Sequence, residues 1–233
     1  MANESICPTR FNWDNAGDKR INDHRLYNII NKKMKRKKTI SMLSFPSDKW
    51  IFERKLIEKC NTPFNFHSIE RNKDMLKKSK VTVRKLKKKH EQHTFWTPRK
   101  EISLQEYIPT TDKTFDIIYT DWMGTWSKEK EKDIHTLFEN KVINKNALLI
   151  FTIMLSRGSK CTIDKLKNMI DYDQLSLPIN SNRTSDNFKA KTIGLTNLIR
   201  KIGDSNGYHV KLSDLNEYKG RTQPELSFVF NIK

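Results

Sequence analysis

Apolar residues along this chain come in short runs separated by longer amphipathic stretches, and the alternation predicts strand followed by helix over most of its length. TISMLSF (39–45) is too short for a helix, and WIFERKLIEKC behind it spaces Phe52, Leu56 and Cys60 four apart with Ile57 beside them. This is a strand feeding a helix, with Pro46, Ser47 and Asp48 available to start or cap it. FNFHSIE (64–70) predicts a second strand ending on Glu70, and the basic stretch to residue 90, carrying Met75, Leu76, Val81, Val83 and Leu86, predicts a second helix. HTFWT (93–97) is a third strand, ISLQEYI (102–108) a short helix or turn, and FDIIYTD (115–121) a fourth strand. Ser127 stands where it would cap a helix over 127–140, and ALLIFTIML (147–155) is a fifth strand apolar enough to be buried on both faces.

From Ser159 onward the spacing loosens. A helix near 162–171 precedes a polar connection, 173–187, rich in Asn, Ser and Asp, which is expected to be an insertion or mobile loop. A longer helix carrying Ile193, Leu195, Leu198, Ile199 and Ile202 follows. GYHVKLSDLNEY and PELSFVFNI, joined by KGRTQP, are then close enough to pair antiparallel. Residues 1–31 show no sustained period and lead into KKMKRKK (32–38), so residues 1–37 are expected to be a basic N-terminal arm and 38–233 a single domain.

Composition narrows the class. In 233 residues, 36% are hydrophobic and 31% charged, polar for a globular chain but too rich in Phe, Trp, Ile and Leu for disorder throughout. The net charge of +18 is one-sided: residues 1–100 carry +16 and residues 101–233 carry +2. Such a field attracts polyanions, so nucleic acid or an anionic membrane surface is the expected partner class. The run Lys32, Lys33, Lys35, Arg36, Lys37 and Lys38, together with Arg84, Lys85, Lys87, Lys88 and Lys89, supplies the phosphate-binding candidates.

No 18-residue apolar run and no signal-peptide order occur, so the chain is expected to be intracellular, without a membrane partner. The compartment is expected to be cytoplasmic, and the basic run would also serve as a nuclear-import signal. Cys7, Cys60 and Cys161 are far apart and lack CxxC or His-cluster spacing, so free thiols and no structural metal are expected. The sequence carries no signal for oligomeric state.

Alternating elements imply an α/β fold with a mostly parallel sheet and helices on both faces, closed by an antiparallel final strand. Seven strands in this order resemble the class I S-adenosylmethionine-dependent methyltransferases over residues 38–233. The resemblance implies a Rossmann-like fold, S-adenosylmethionine as cofactor, and ligand contacts at the carboxyl ends of the strands. The turn SFPSDKW (44–50), with Phe45, Pro46 and Ser47, stands where the family carries a Gly-rich loop under the cofactor's methionine part, but it contains no glycine.

The family places an acid that accepts from the cofactor ribose at the end of strand two, and here that is Glu70. Asp121 in TDWMG (120–124) matches the strand-four position facing the cofactor amine and the acceptor, with Trp122 and Trp126 read as stacking or walling residues. A closer likeness is to the 2′-O-ribose methyltransferases and their Lys-Asp-Lys-Glu tetrad. Asp121 and Glu225 match two positions, Thr152 stands where the central Lys is expected, and the amino-terminal Lys would come from 32–38.

The resemblance implies a methyltransferase acting on DNA or RNA, with Asp121, Trp122 and Glu225 as catalytic candidates. The alternative is a methyltransferase-fold protein that has lost catalysis and binds nucleic acid as an accessory or regulatory factor. Asp121 and Glu70 favour the enzyme; the glycine-free turn and Thr152 favour the binder.

Overall fold

The computed structural model describes residues 18–122, 124–155, 160–170, 185–219 and 223–233. Within them lies one seven-stranded sheet in the order β3-β2-β1-β4-β5-β7-β6. The strands are β1 (Ile40–Ser44), β2 (Phe64–Ser68), β3 (Thr94–Trp96), β4 (Phe115–Asp121), β5 (Ile143–Met154), β6 (Val210–Lys219) and β7 (Pro224–Ile232). Strands β3 to β5 run parallel, and β7 is antiparallel to both of its neighbours. The predicted α/β class and the antiparallel final strand are both present.

Alternate residues of the central strands face opposite sides of the sheet, and each side has its own apolar layer. Leu43, Ile118, Leu149, Phe151, Phe228 and Phe230 form one layer with α4 (Leu104–Tyr107), α5 (Lys128–Glu139), α6 (Lys160–Lys167) and α8 (Leu195–Ser205). Met42, Ile117, Tyr119, Leu148, Ile150 and Val229 form the other with α1 (Asp18–Met34), α2 (Ile51–Lys59) and α3 (Lys73–Lys89). Burial on both sides explains why β4 and β5 read as unbroken apolar runs.

Several expectations change. Residues 18–34, assigned to a basic arm, form α1, which buries Leu26, Tyr27, Ile30 and Met34 against the sheet domain. Helix α2 is not capped by Pro46, Ser47 or Asp48; it begins behind Trp50, whose φ of 52° supplies the left-handed turn that a glycine would normally take. The indole is fully buried and donates from Nε1 to Ser79 Oγ at 2.6 Å, which holds this backbone in place. Ser127 does cap α5, accepting from the Lys130 N–H.

The helix read from Ile193 starts earlier, at α7 (Asp186–Lys189), and passes through a π turn (Ala190–Gly194) into α8. Most of the expected 173–187 insertion lies outside the described residues, as do Cys7 and the β6–β7 turn at 220–222. Cys60 is buried and Cys161 exposed, both as free thiols. Among the described residues no helix is long and apolar enough to cross a membrane, and no group of three His, Cys, Asp or Glu is placed to hold a metal ion.

Candidate functional site

The parallel strands bring the ends of β1, β2, β4 and β5 to one rim, and most of the candidate site gathers there. Glu70 lies two residues beyond the end of β2, where its carbonyl accepts from Ile102 N and its Oε1 accepts from Asn72 N at 2.7 Å. One carboxylate oxygen therefore shapes the turn into α3. Phe45 follows β1, half-buried against the core, and Pro46 is buried behind it. Ser47 is exposed, and its carbonyl accepts from Trp50 N at 3.0 Å.

Asp121 ends β4, and both of its oxygens are engaged. Lys19 Nζ stands 2.8 Å from Oδ2, and Thr152 Oγ1 donates to Oδ1 at 2.5 Å. Thr152 is Asp121's register partner on β5. Glu225, opposite Met154 in the β5–β7 ladder, accepts from the Tyr218 hydroxyl at 2.6 Å. Burial raises the Glu225 carboxyl above its ordinary value, against the opposing pull of Lys19.

Lys19 sits in the first turn of α1. Burial works to lower its pKa, but the Asp121 carboxylate, followed by Glu225 and Asp23, outweighs it, and the net shift is upward. The ammonium therefore stays charged. Lys19, and no lysine of the 32–38 run, is the cation paired with Asp121. That run follows α1 into the opposite, amino-end rim, where Lys37 pairs with Asp116 in the second position of β4 at 2.8 Å.

Two further acids belong to the rim and were not singled out in the sequence. Asp23, one turn along α1, is raised to about 6 by burial, with Lys19 opposing. Glu53, in the first turn of α2, is fully buried and neither carboxylate oxygen has a hydrogen-bond partner. Burial pushes the Glu53 carboxyl up to about 7, against the weaker downward pull of its own backbone N–H and of the Ser44 hydroxyl at the end of β1.

Trp122 and Trp126, read as stacking or walling residues, are turned into the core. They are 7% and 2% exposed, meet each other edge to face at 5.9 Å, and pack on Phe151 as core residues. Arg84, Lys85, Lys87, Lys88 and Lys89 also lie away from the acids. Helix α3 runs back against the strands, so its last turn reaches the amino rim, where His93 Nδ1 accepts from the first N–H of β2. The two basic runs share a rim with each other, not with Glu70 and Asp121.

Solved structures share the fold of the chain. A Galdieria sulphuraria protein assigned as a sarcosine dimethylglycine methyltransferase matches with a TM-score of 0.55 at 10% identity, over 91% of this chain and 85% of its own. Magnesium protoporphyrin IX methyltransferase from Synechocystis, solved with bound SAH, matches with a TM-score of 0.51 at 10% identity, over 91% and 83%. A Haemophilus influenzae protein assigned as a methylase matches with a TM-score of 0.50 at 13% identity, over 90% and 86%. This chain has the class I methyltransferase fold. No protein-family model matches the chain, and no curated protein matches its sequence.

The observed strand order puts the crossover point at β1 and β4, where neighbouring connections leave in opposite directions, the place beyond the strand ends where open α/β sheets bind their ligands. Glu70, Glu53 and Asp121 surround that point.

Proposed function

We propose that the chain is an S-adenosylmethionine-dependent methyltransferase acting on nucleic acid, with a ribose hydroxyl as acceptor. The observation that carries this reading is the convergence of Lys19, Asp121 and Glu225 on the rim that also holds Glu70 and Glu53. A buried carboxyl with two unpartnered oxygens fits a ligand bearing an ammonium group, and Glu70 Oε2 fits a ribose hydroxyl. Glu53 and Glu70 would hold the cofactor by its two polar ends. When bound, that cofactor supplies an activated methyl group open to in-line displacement.

The chain's own residues then act mainly by placement and charge. Lys19 is held protonated by Asp121, so it serves as a fixed cation and not as a base. A hydroxyl beside it would be easier to deprotonate, and its developing negative charge would be stabilised without reorganisation. Glu225, with its raised affinity for a proton, is the group placed to receive one. Nucleic acid as the acceptor is supported by the +18 charge and by the basic runs of α1 and α3.

A second reading, a binding protein without catalysis, is favoured by Thr152, which fills the central lysine's place and bonds Asp121 directly. Calorimetry with S-adenosylhomocysteine on the wild type and on Glu70→Ala, with tritium transfer from S-adenosylmethionine into RNA and DNA, separates the two. Binding lost in Glu70→Ala, with label in alkali-resistant dinucleotides, is the outcome expected for the enzyme. No binding at millimolar ligand would leave only the binder.

A further inference from the structure

Strand β3 is a three-residue edge strand, and the connection from it to β4 contains only the single-turn helix α4 and a 3-10 turn, Ile108–Thr110. The α4 side of β2 and β3 is therefore incompletely covered. His67 and Trp96, register partners on that side, form the wall of an open groove of about 430 Å³. Trp96 stacks on His67 at 5.6 Å between ring centroids, meets Tyr107 at a tilt with 4.9 Å between centroids, and remains 38% exposed.

The polar atoms of this wall are fixed. The Thr111 hydroxyl donates to Tyr107 Oη at 3.2 Å, and Tyr107 Oη shares a 2.9 Å hydrogen bond with His67 Nδ1. Burial, followed by nearby Lys113, lowers the His67 pKa and keeps the ring neutral. Arg99, Lys100 and Lys113 border the groove, and Asp112 pairs with Lys113 at 3.0 Å. An exposed indole backed by two rings suits a flat heteroaromatic ring, and the cations suit the phosphates joined to it. Charge selects the occupant: the +18 chain repels a basic peptide and attracts a polyanion.

We propose that this groove holds a nucleotide of single-stranded nucleic acid, with the base stacked on Trp96 and its phosphates on Arg99 and Lys100. It rests on the nucleic-acid part of the reading above and goes beyond it by naming a site apart from Glu70 and Asp121.

The test is fluorescence anisotropy with a labelled ten-nucleotide single strand and an abasic strand of the same length, on the wild type, Trp96→Ala and Trp96→Phe. Matched thermal melts establish that the variants fold. Losing one stack is expected to weaken binding roughly fivefold to a hundredfold in Trp96→Ala. Trp96→Phe should retain most of the affinity, and the abasic strand should bind wild type and Trp96→Ala alike. Unchanged binding by Trp96→Ala would overturn the groove while leaving a nucleic-acid substrate standing. No binding by the wild type would overturn both. Loss of S-adenosylhomocysteine binding in Trp96→Ala would assign the groove to the cofactor and overturn the proposal.

Discussion

Replacing Glu53 by Gln tests whether the buried carboxyl is held at a cost for the sake of a ligand. Its pKa rises from 4.5 to about 7 on folding because the charged form is desolvated. The folded protein therefore keeps this proton at pH values where the unfolded chain has released it. Stability falls as pH rises from about 4.5 to about 7, then levels off. At about 1.4 kcal/mol per unit, the shift has a ceiling of about 3 kcal/mol. Gln is close in shape to the protonated acid and escapes this loss.

Urea unfolding at pH 4.5 and pH 8 is the assay. Wild type and Glu53→Gln should be nearly equal at pH 4.5, and the variant more stable by up to about 3 kcal/mol at pH 8. Asp23, raised to about 6, pulls in the same direction but is present in both proteins, so the difference isolates Glu53. If Glu53 also meets the cofactor's ammonium group, S-adenosylhomocysteine at a hundred times its Kd adds about 2.7 kcal/mol to the wild type and less to the variant, narrowing the gap. Equal stability at pH 8 without ligand would refute the argument, because it would mean the carboxylate is satisfied where it lies.

Lys19→Met should raise the midpoints of Asp23 and Glu225 further, since Lys19 opposes both shifts, and should depress methyl transfer; carboxyl NMR titration reads the first effect and tritium incorporation the second. Gly194→Ala would set a Cβ 2.0 Å from the Leu166 carbonyl oxygen of α6, a backbone atom, and should cost about 1–3 kcal/mol in chemical denaturation. Gly203→Ala, whose Cβ meets the Val210 Cγ2 side-chain atom at 2.2 Å, should cost less. Substituting Lys87, Lys88 and Lys89 by Gln should flatten the salt dependence for a long single strand by about 0.7 in log–log slope per lost phosphate contact, and leave that of a four-nucleotide strand unchanged. Equal flattening for both lengths would place those lysines at the groove.

The sheet was legible because buried strands have no polar face to confuse the pattern, as in FDIIYT of β4. Helix α1 was not, because its buried stripe is partly polar: Asn22, 1% exposed, shares it with Leu26, Tyr27, Ile30 and Met34, while apolar Ile21 points outward at 54%. The spacing of that stripe still carried the signal. Counting back from Leu26 by helical steps gives Asn22 and Asp23, then Lys19. The same rule finds Glu53, three and four residues before Leu56 and Ile57 on the buried side of α2. Neither was singled out in the sequence, although position alone marks both: Glu53 lies fully inside, while Lys19 reaches the rim with its side chain 47% exposed. Trp122 and Trp126 erred the other way, since a turn rich in aromatics says nothing of which ring the core takes.

The placement of the basic runs bears on how a strand would lie. A helix that follows a parallel strand returns to the amino rim, so the last turn of α3 and the residues leading into β1 gather there, away from Asp121 at the end of β4. The seven residues of β4 separate the rims by about 23 Å at ~3.3 Å per residue. The lysines of 32–38 and 84–89 therefore cannot bind the phosphates beside a nucleotide whose acceptor reaches Asp121. They would hold the same strand some nucleotides away. The groove at the β3 edge lies between: Ile102 at one end bonds the backbone of Glu70, and Lys113 at the other leads into the first residue of β4. A strand laid along that edge would pass from the basic rim, over Trp96, towards the acidic rim, so the stack on Trp96 would set which nucleotide arrives at Asp121.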